Sequence, residues 1–431
     1  MKSNFQNTLL TEFEIMENLH SHPEKKAELE VRRKAIEHFK QKGFPTLKTE
    51  LWKYTPVNFV NKHEFKLLND SHVGQLAEGE VEKLLIPNLD CHRIVMLNGF
   101  LDSEHTSISG EDGLKLKSLR SDGAADFEND SPDYSEHAFA ALNTALYHDG
   151  FVLEVSDGKE ISKPVHIINI IDTDAEPVIA QCRNFIRVGR NAKLDIIESN
   201  KTFGYNESLQ SDVLKIKVGE NSEVKHYKFQ DDNDRSYSIN LVEAEVERDS
   251  RYSEMNITLG GRFVRNDIRV KIQGENAYPS LEGVFVADKD MLVDNHTFLD
   301  HAVPNCPSNE VYRAVLQDKA KGVFNGKILV RQDAQKTNAY QSSKAVLLSD
   351  TATMNSKPEL EIYADDVKCS HGASTGSIDE DALFYLRARG ISEAQAKAML
   401  LNAFVHEITD RIHIEELREE VNRRVNKKFG L

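Results

Sequence analysis

The sequence predicts a mainly β protein, a parallel β-helix core flanked by N-terminal and C-terminal α-helical regions, on three observations. First, between residues 150 and 376 short β-branched runs are broken every eight to fifteen residues by Gly, Asn and Asp, the punctuation of strands and tight turns. Second, a strand-turn unit recurs there: "VGRNAKL" (188–194), "VGENSEV" (218–224), "VERDSRY" (246–252) and "IQGENAY" (272–278) each place Asn or Asp before a small residue. Counted on that polar residue, Asn191 to Asn221 is 30 residues, Asn221 to Asp249 is 28 and Asp249 to Asn276 is 27. Units of this size cannot bury a face alone and must stack, which favours a β-helix over a long sandwich. Third, beyond Gly376 the period becomes helical.

Three regions follow: 1–149, mostly helical; 150–376, the β-helix; 377–431, a C-terminal helical domain. Residues 4–42 are expected to form two helices, with Leu9, Phe13 and Met16 on one face, Pro23 in a first turn and Gly43 as a C-terminal cap. Trp52, between Pro45 and Pro56, is expected to anchor an irregular segment on the core. "HRIVMLNG" (92–99) reads as a strand, "ENDSPDYSE" as an acidic loop, and 136–147 as a helix running into a strand after Gly150. Asn and Asp suit the repeat's turn because they tolerate the left-handed region, and Asp333 and Asp350 are expected to continue the series at shorter intervals.

In the tail, Ser377 and Glu380 have capping-box spacing, Leu383, Phe384 and Leu386 share an apolar face, and Gly390 ends the helix. Ser392 and Gln395 open a second helix with Ala396, Met399, Leu400, Ala403, Phe404 and Ile408 at spacings of three and four. A third keeps Ile414, Leu417, Val421 and Val425 on one face and its basic residues at the end, as the helix dipole prefers. Three such helices are expected to pack on the β body or to offer an apolar stripe to a partner.

Composition narrows the function. At 431 residues, 39% hydrophobic and 29% charged, the chain is globular with room for more than one domain. Its formal charge of -16 argues against non-specific nucleic-acid binding and suits basic protein partners. Cys91, Cys182, Cys306 and Cys369 lie far apart without a CxxC pair, which speaks against a zinc ribbon or disulfide framework. Glu12, Glu14 and Glu17 interrupt the N-terminal apolar residues, and no run long enough to span a membrane occurs, so a cytoplasmic protein with reduced thiols is expected.

The chemistry concentrates in "DDVKCSHGASTG" (365–376). On a strand, residues i and i+2 face the same side, so Cys369 and His371 can address one soft metal or sulfur species. A free cysteine acting as a small hydrophobe and a hydrogen-bonded histidine explain the pair as well. Glu361, Asp365 and Asp366 lie just upstream, and His296, Asp300, His301 and Cys306 make a second ligand-rich loop. No GxxxxGK[ST] phosphate loop, GxSxG or HExxH motif is present. A β-helix bearing Asp side chains also fits a carbohydrate-active enzyme, which would normally be secreted.

The run 322–391, from "GVFNGKILV" through "VKCSHGA" to "ALFYLRARGI", closely resembles the SufB/SufD family of iron-sulfur cluster assembly proteins, on its SufD branch. "GFPTLKTELWKYT" and "PNCPSNEVYR" are similar to that branch too. The resemblance implies a right-handed parallel β-helix, and a non-enzymatic scaffold that pairs with a SufB paralogue and takes SufC, an ABC-type ATPase, on its C-terminal helices. It implies His371 as an interface histidine, with Cys369 beside it, as a metal or cluster site shared with the partner chain. The implied ATPase contacts are Leu383, Met399, Leu400 and Phe404, and a homodimer is the alternative state of the isolated chain. The SufB-type ligand set is not apparent, so no cofactor is expected on this chain alone; a nascent iron-sulfur cluster or iron would be held in the complex.

Overall fold

The computed structural model of the chain describes residues 4–19, 26–68, 76, 79–108, 110–120 and 132–430. Pro23 and the first part of the acidic loop lie outside them. The helices are α1 (Asn4–Leu19), α2 (Lys26–Lys42), α3 (Ala138–Leu146), α4 (Glu380–Ala388), α5 (Glu393–Thr409) and α6 (Glu415–Phe429).

Between α3 and α4 the chain winds into a β-solenoid with two walls. Among the described residues the main ladder of one wall runs through eight parallel strands from Phe151–Val155 to Thr353–Ile362, with the short parallel strands Lys66–Leu67 and Val178–Ala180 at its side, and the other through eight from Val165–Asp172 to Lys368–Gly376. Successive strands alternate between walls, so each pairs with the strand one coil later, as Leu214 does with Val242 and Val242 with Ile268. A parallel ladder in register puts the same position of every coil in one inward-facing row. Half of the interior is an apolar column including Ile186, Leu214, Val242, Ile268 and Leu299. The other half is polar: Glu198 lies 2.7 Å from the Lys228 ammonium and 3.3 Å from His226. Burial opposes the ionisation of Glu198, but Lys228 and then His226 prevail and hold its carboxyl down to about 2.

The turn markers behave as expected. Asn191, Asn221, Asp249 and Asn276 all have φ between 52° and 61°, in the left-handed region. Their side chains form rungs, Asn221 Nδ2 donating to Asn191 Oδ1 at 2.7 Å and Asn276 Nδ2 to Asp249 Oδ1 at 3.0 Å. The series does not shorten, however. It continues through Asn305 and Lys336, both left-handed, at 29 and 31 residues. Asp333 sits three residues before that corner, and Asp350 turns the opposite corner between Asn338–Leu347 and Thr353–Ile362. The interval cannot shrink because every coil crosses two strands of similar length.

The N-terminal region packs on the outside of the first wall. Leu9, Phe13 and Met16 of α1, Phe39 of α2 and Phe139 of α3 meet Leu209, Ile239 and Phe263 in one apolar cluster. Gly43, at φ 69°, ends α2 by donating to the Phe39 carbonyl. Trp52 is buried as expected, but what it anchors to is a charged centre. The Arg265 guanidinium lies 3.8 Å over the indole and binds Asp267 (2.7 and 2.8 Å), Asp294 (2.8 Å) and the Leu51 carbonyl. His137, just before α3, reaches Asp267 at 3.0 Å. Burial opposes ionisation of Asp267, yet Arg265 and then His137 hold its carboxyl well below the usual range.

This region also closes one end of the solenoid. His92–Leu97 adds a parallel strand to the second wall and Phe100–Leu101 follows it antiparallel, while Leu114–Ser118 runs antiparallel on the first wall. After the last coil the chain turns back, and α5 and α6 lie on the outside of the second wall over its middle strands, where Leu401, Val405, Leu417, Val421 and Val425 cover Tyr227, Ile257, Val284 and Val315. Arg313 to Glu407 (2.9 Å), Arg411 to Glu282 (2.7 Å) and Arg424 to Asp231 (2.6 Å) fasten them.

Two measurements test these features. Replacing Arg265 with Leu removes the cation shared by the buried Asp267 and Asp294 and leaves them only His137, and His296 with Thr55, respectively, so denaturant unfolding should show a loss of about 3–5 kcal/mol; a loss below about 1 kcal/mol would remove the centre from the stability account. Burial also holds His166 and His301 down to about 4, each with its Nε2 in hydrogen-bond contact with a serine hydroxyl, at 2.8 and 2.9 Å. The unfolded chain, with histidines near about 6.5, binds more protons between these values. Their contribution is therefore present above about pH 6.5 and lost as the pH falls toward 4, on the order of 3 kcal/mol each. Denaturant midpoints should fall over that window, less steeply in His301→Gln; a flat profile would contradict the assignment.

Candidate functional site at the open end

The final coil ends the ladder. Thr353–Ile362 and Lys368–Gly376 each pair on one side only among the described residues; the first is mostly half-buried and the second largely exposed, where the same positions of earlier coils are mostly buried. Cys369 pairs with Ala339 and His371 with Gln341, both of which face the solenoid interior. The i, i+2 expectation therefore holds: thiol and imidazole stand on one inward face, uncovered because no further coil follows.

Their environments differ. Cys369 is half-buried over the apolar column, and this burial pushes its thiol above the ordinary range, so it is protonated at neutral pH. His371 is exposed. Glu361 faces Lys327 at 2.8 Å on the first wall, and Asp365 and Asp366 lie on the exposed turn between the last two strands. Among the described residues no group of three or more His, Cys, Asp or Glu side chains converges. By residue type the pair can supply two ligands to one soft metal or sulfur species.

The second ligand-rich loop disperses. His296 binds Asp294 (3.0 Å), Asp300 is clasped by Arg331 (2.7 and 2.8 Å), and His301 meets Ser308. Cys306 is buried, its Sγ near the Pro304 and Gly274 carbonyls, and burial raises its thiol to about 11.

The C-terminal helices need three corrections. Asp379, not Ser377, caps α4, its carboxylate accepting from Ala382 N at 3.0 Å, whereas Ser392 caps α5 as expected. The buried stripe of α5 is Ala396, Ala398, Leu401, Val405 and Ile408: Ala396 and Ile408 are buried as expected, but between them the stripe is rotated because the wall takes Leu401 and Val405 and leaves Met399 47% exposed. Leu383 is 6% exposed and packs inward, so it is no surface contact here. Leu400 and Phe404 are half-buried, Phe404 with Arg313 6.0 Å from its ring centre. The apolar groups facing solvent on α4 are Phe384 (74%) and Tyr385 (58%).

Fold and site define a helix-flanked β-solenoid, closed at one end and open at the other, with soft ligands on the open coil. Residues 170–404 match the SufBD core domain of the SUF system for FeS cluster assembly, and residues 4–167 match the SufBD N-terminal region. The iron-sulfur cluster assembly protein SufD of Escherichia coli is 28% identical over 390 residues, 90% of each chain. A SufBD family iron-sulfur cluster assembly protein of Synechocystis is 28% identical over 389 residues, 87% of this chain and 85% of that one. A chloroplastic protein of Arabidopsis thaliana, ABCI7, is 28% identical over 298 residues, 67% of this chain and 62% of its own. The chain belongs to the SufBD family of the SUF iron-sulfur cluster assembly system.

Thiol labelling followed by mass spectrometry tests the site's electrostatics. At pH 7 Cys369 should react more slowly than free cysteine, and Cys182 and Cys306 only on unfolding. Cys369 reacting as fast as free cysteine would contradict the raised thiol.

Proposed function

We propose that the chain is a SufD-type scaffold subunit, not a free-standing enzyme, that pairs with a SufB-like chain through its open coil. The observation that carries this is the asymmetry of the ends. A solenoid exposes backbone donors and acceptors wherever it stops, and an uncapped terminal coil is a template for strand addition. The N-terminal region closes one end; a SufB-like solenoid closes the other.

Cys369 and His371 then form half of a shared site whose remaining ligands come from the partner. Iron or a nascent iron-sulfur cluster is the cargo there, and its arrival displaces the proton from Cys369, since thiolate is the ligand form. The relatives' SUF-system assignment supports this reading and leaves the carbohydrate-active alternative without support. A SufC-like ABC ATPase docks on the C-terminal helices, which are tied to the second wall and so transmit movement to it. In the absence of the partner, the same open coil lets two copies associate. The assembly works in the cytoplasm.

Replacing His371 with Ala in the reconstituted complex, supplied with iron and a cysteine desulfurase, should lower cluster yield by about tenfold or more. Wild-type yield from an intact complex would sink the shared site. For the ATPase, Met399→Glu should weaken co-purification with the SufC-like subunit without altering the melting temperature; unchanged binding would move the docking surface off this face of α5.

A further inference from the structure

Behind His371 lies a polar row that the shared-site reading does not use. Glu310, Gln341 and His371 are successive members of one inward-facing row of the second wall, each paired in register with the next. Glu310 and Gln341 are 0% and 3% exposed. The Gln341 amide nitrogen donates to Glu310 Oε2, which ties one end of the carboxamide down. The other end, Oε1, is buried with no hydrogen-bond partner among the described residues. An unpaired buried carbonyl oxygen costs about 1–3 kcal/mol, so its retention calls for a donor. The next side chain along the row is the His371 imidazole, one strand spacing away, ~4.8 Å.

The opposite wall makes room for this arrangement. Gly326 faces Gln341 across the interior, and a Cβ there would come within 2.2 Å of Gln341 Nε2. The carboxamide therefore fills the space a side chain at 326 would take, and it is held between Gly326 and Glu310.

We infer that Gln341, anchored by Glu310 and cradled by Gly326, is a positioning residue for His371: its free carboxamide oxygen accepts one imidazole N–H. This selects one tautomer and turns the other ring nitrogen, with its lone pair, out through the open end. Metal-binding imidazoles are commonly oriented by such a second hydrogen bond. The inference deepens the shared-site reading and rests on it for its purpose, but the bond, which the structure does not show formed, needs only a turn of the His371 side chain and no partner chain.

The test is made on the full-length chain labelled with 15N-histidine, the His371 ring signals being assigned by their loss in His371→Ala. Wild type should show one neutral tautomer in excess. Gln341→Met, which keeps length and shape but has no amide, should shift the tautomer ratio by about threefold or more, as loss of one net hydrogen bond of about 1 kcal/mol requires. Gly326→Ala, which pushes the carboxamide aside while leaving it present, should shift the ratio in the same direction. Ring signals unchanged in both variants, with the amide spectrum showing a native fold, would overturn the inference. If Gln341→Met does not fold, Gly326→Ala decides alone by the same criterion. A shifted tautomer in Gln341→Met together with a fully competent His371→Ala complex would uphold the positioning bond and overturn the shared site; the reverse pattern would do the opposite.

Discussion

The in-register parallel ladder is the constraint on which the rest of this structure depends. Because each strand pairs with the strand one coil later, a residue's environment is set by the residues at the same position above and below it. That rule stacks the Asn and Asp corners, gathers the apolar column, and brings Glu198 beside Lys228 from strands 30 positions apart in the chain. It also makes the two ends special, since the first and last coils lack a neighbour on one side.

The ends are treated differently. At the first, antiparallel strands cover the ladder, and the three N-terminal helices that come with them lie along the first wall, held there by Trp52, Arg265, Asp267 and Asp294, a charged centre that withstands burial because its partners are matched. At the last, nothing comparable follows Lys368–Gly376; the helices that come next fold back onto the side of the wall. The pair of soft ligands sits on that uncovered coil. Position, more than ligand count, is what makes Cys369 and His371 a candidate site.

Much of this was legible in the residues. The repeat could be read because each marker must occupy a left-handed corner, which restricts the residue type, and the N-terminal helix faces because a helix on a wall needs one apolar stripe. The Cys369 and His371 geometry followed from strand alternation alone. The Arg265 centre was not legible: its partners lie hundreds of positions apart from Trp52 and Leu51, and only the register unites them. The rotation of α5 was hidden because two apolar stripes coexist on it, and the wall decides between them. Gln341 resembled any polar strand residue until its row was known, and the second ligand-rich loop scattered because alternate strand residues point to opposite faces.

The central claim is that the open coil is a pairing surface. Amide hydrogen exchange resolved to residues 353–376 tests it most directly, comparing the isolated chain with the chain co-expressed with a SufB-like partner and measuring both at a concentration where the isolated chain is monomeric. The account predicts fast exchange at the outer edge of the last two strands in the monomer and strong protection of that edge in the complex, while strands in the middle of the solenoid change little. Equal exchange of the edge in both states, with the complex intact by mass, would contradict it.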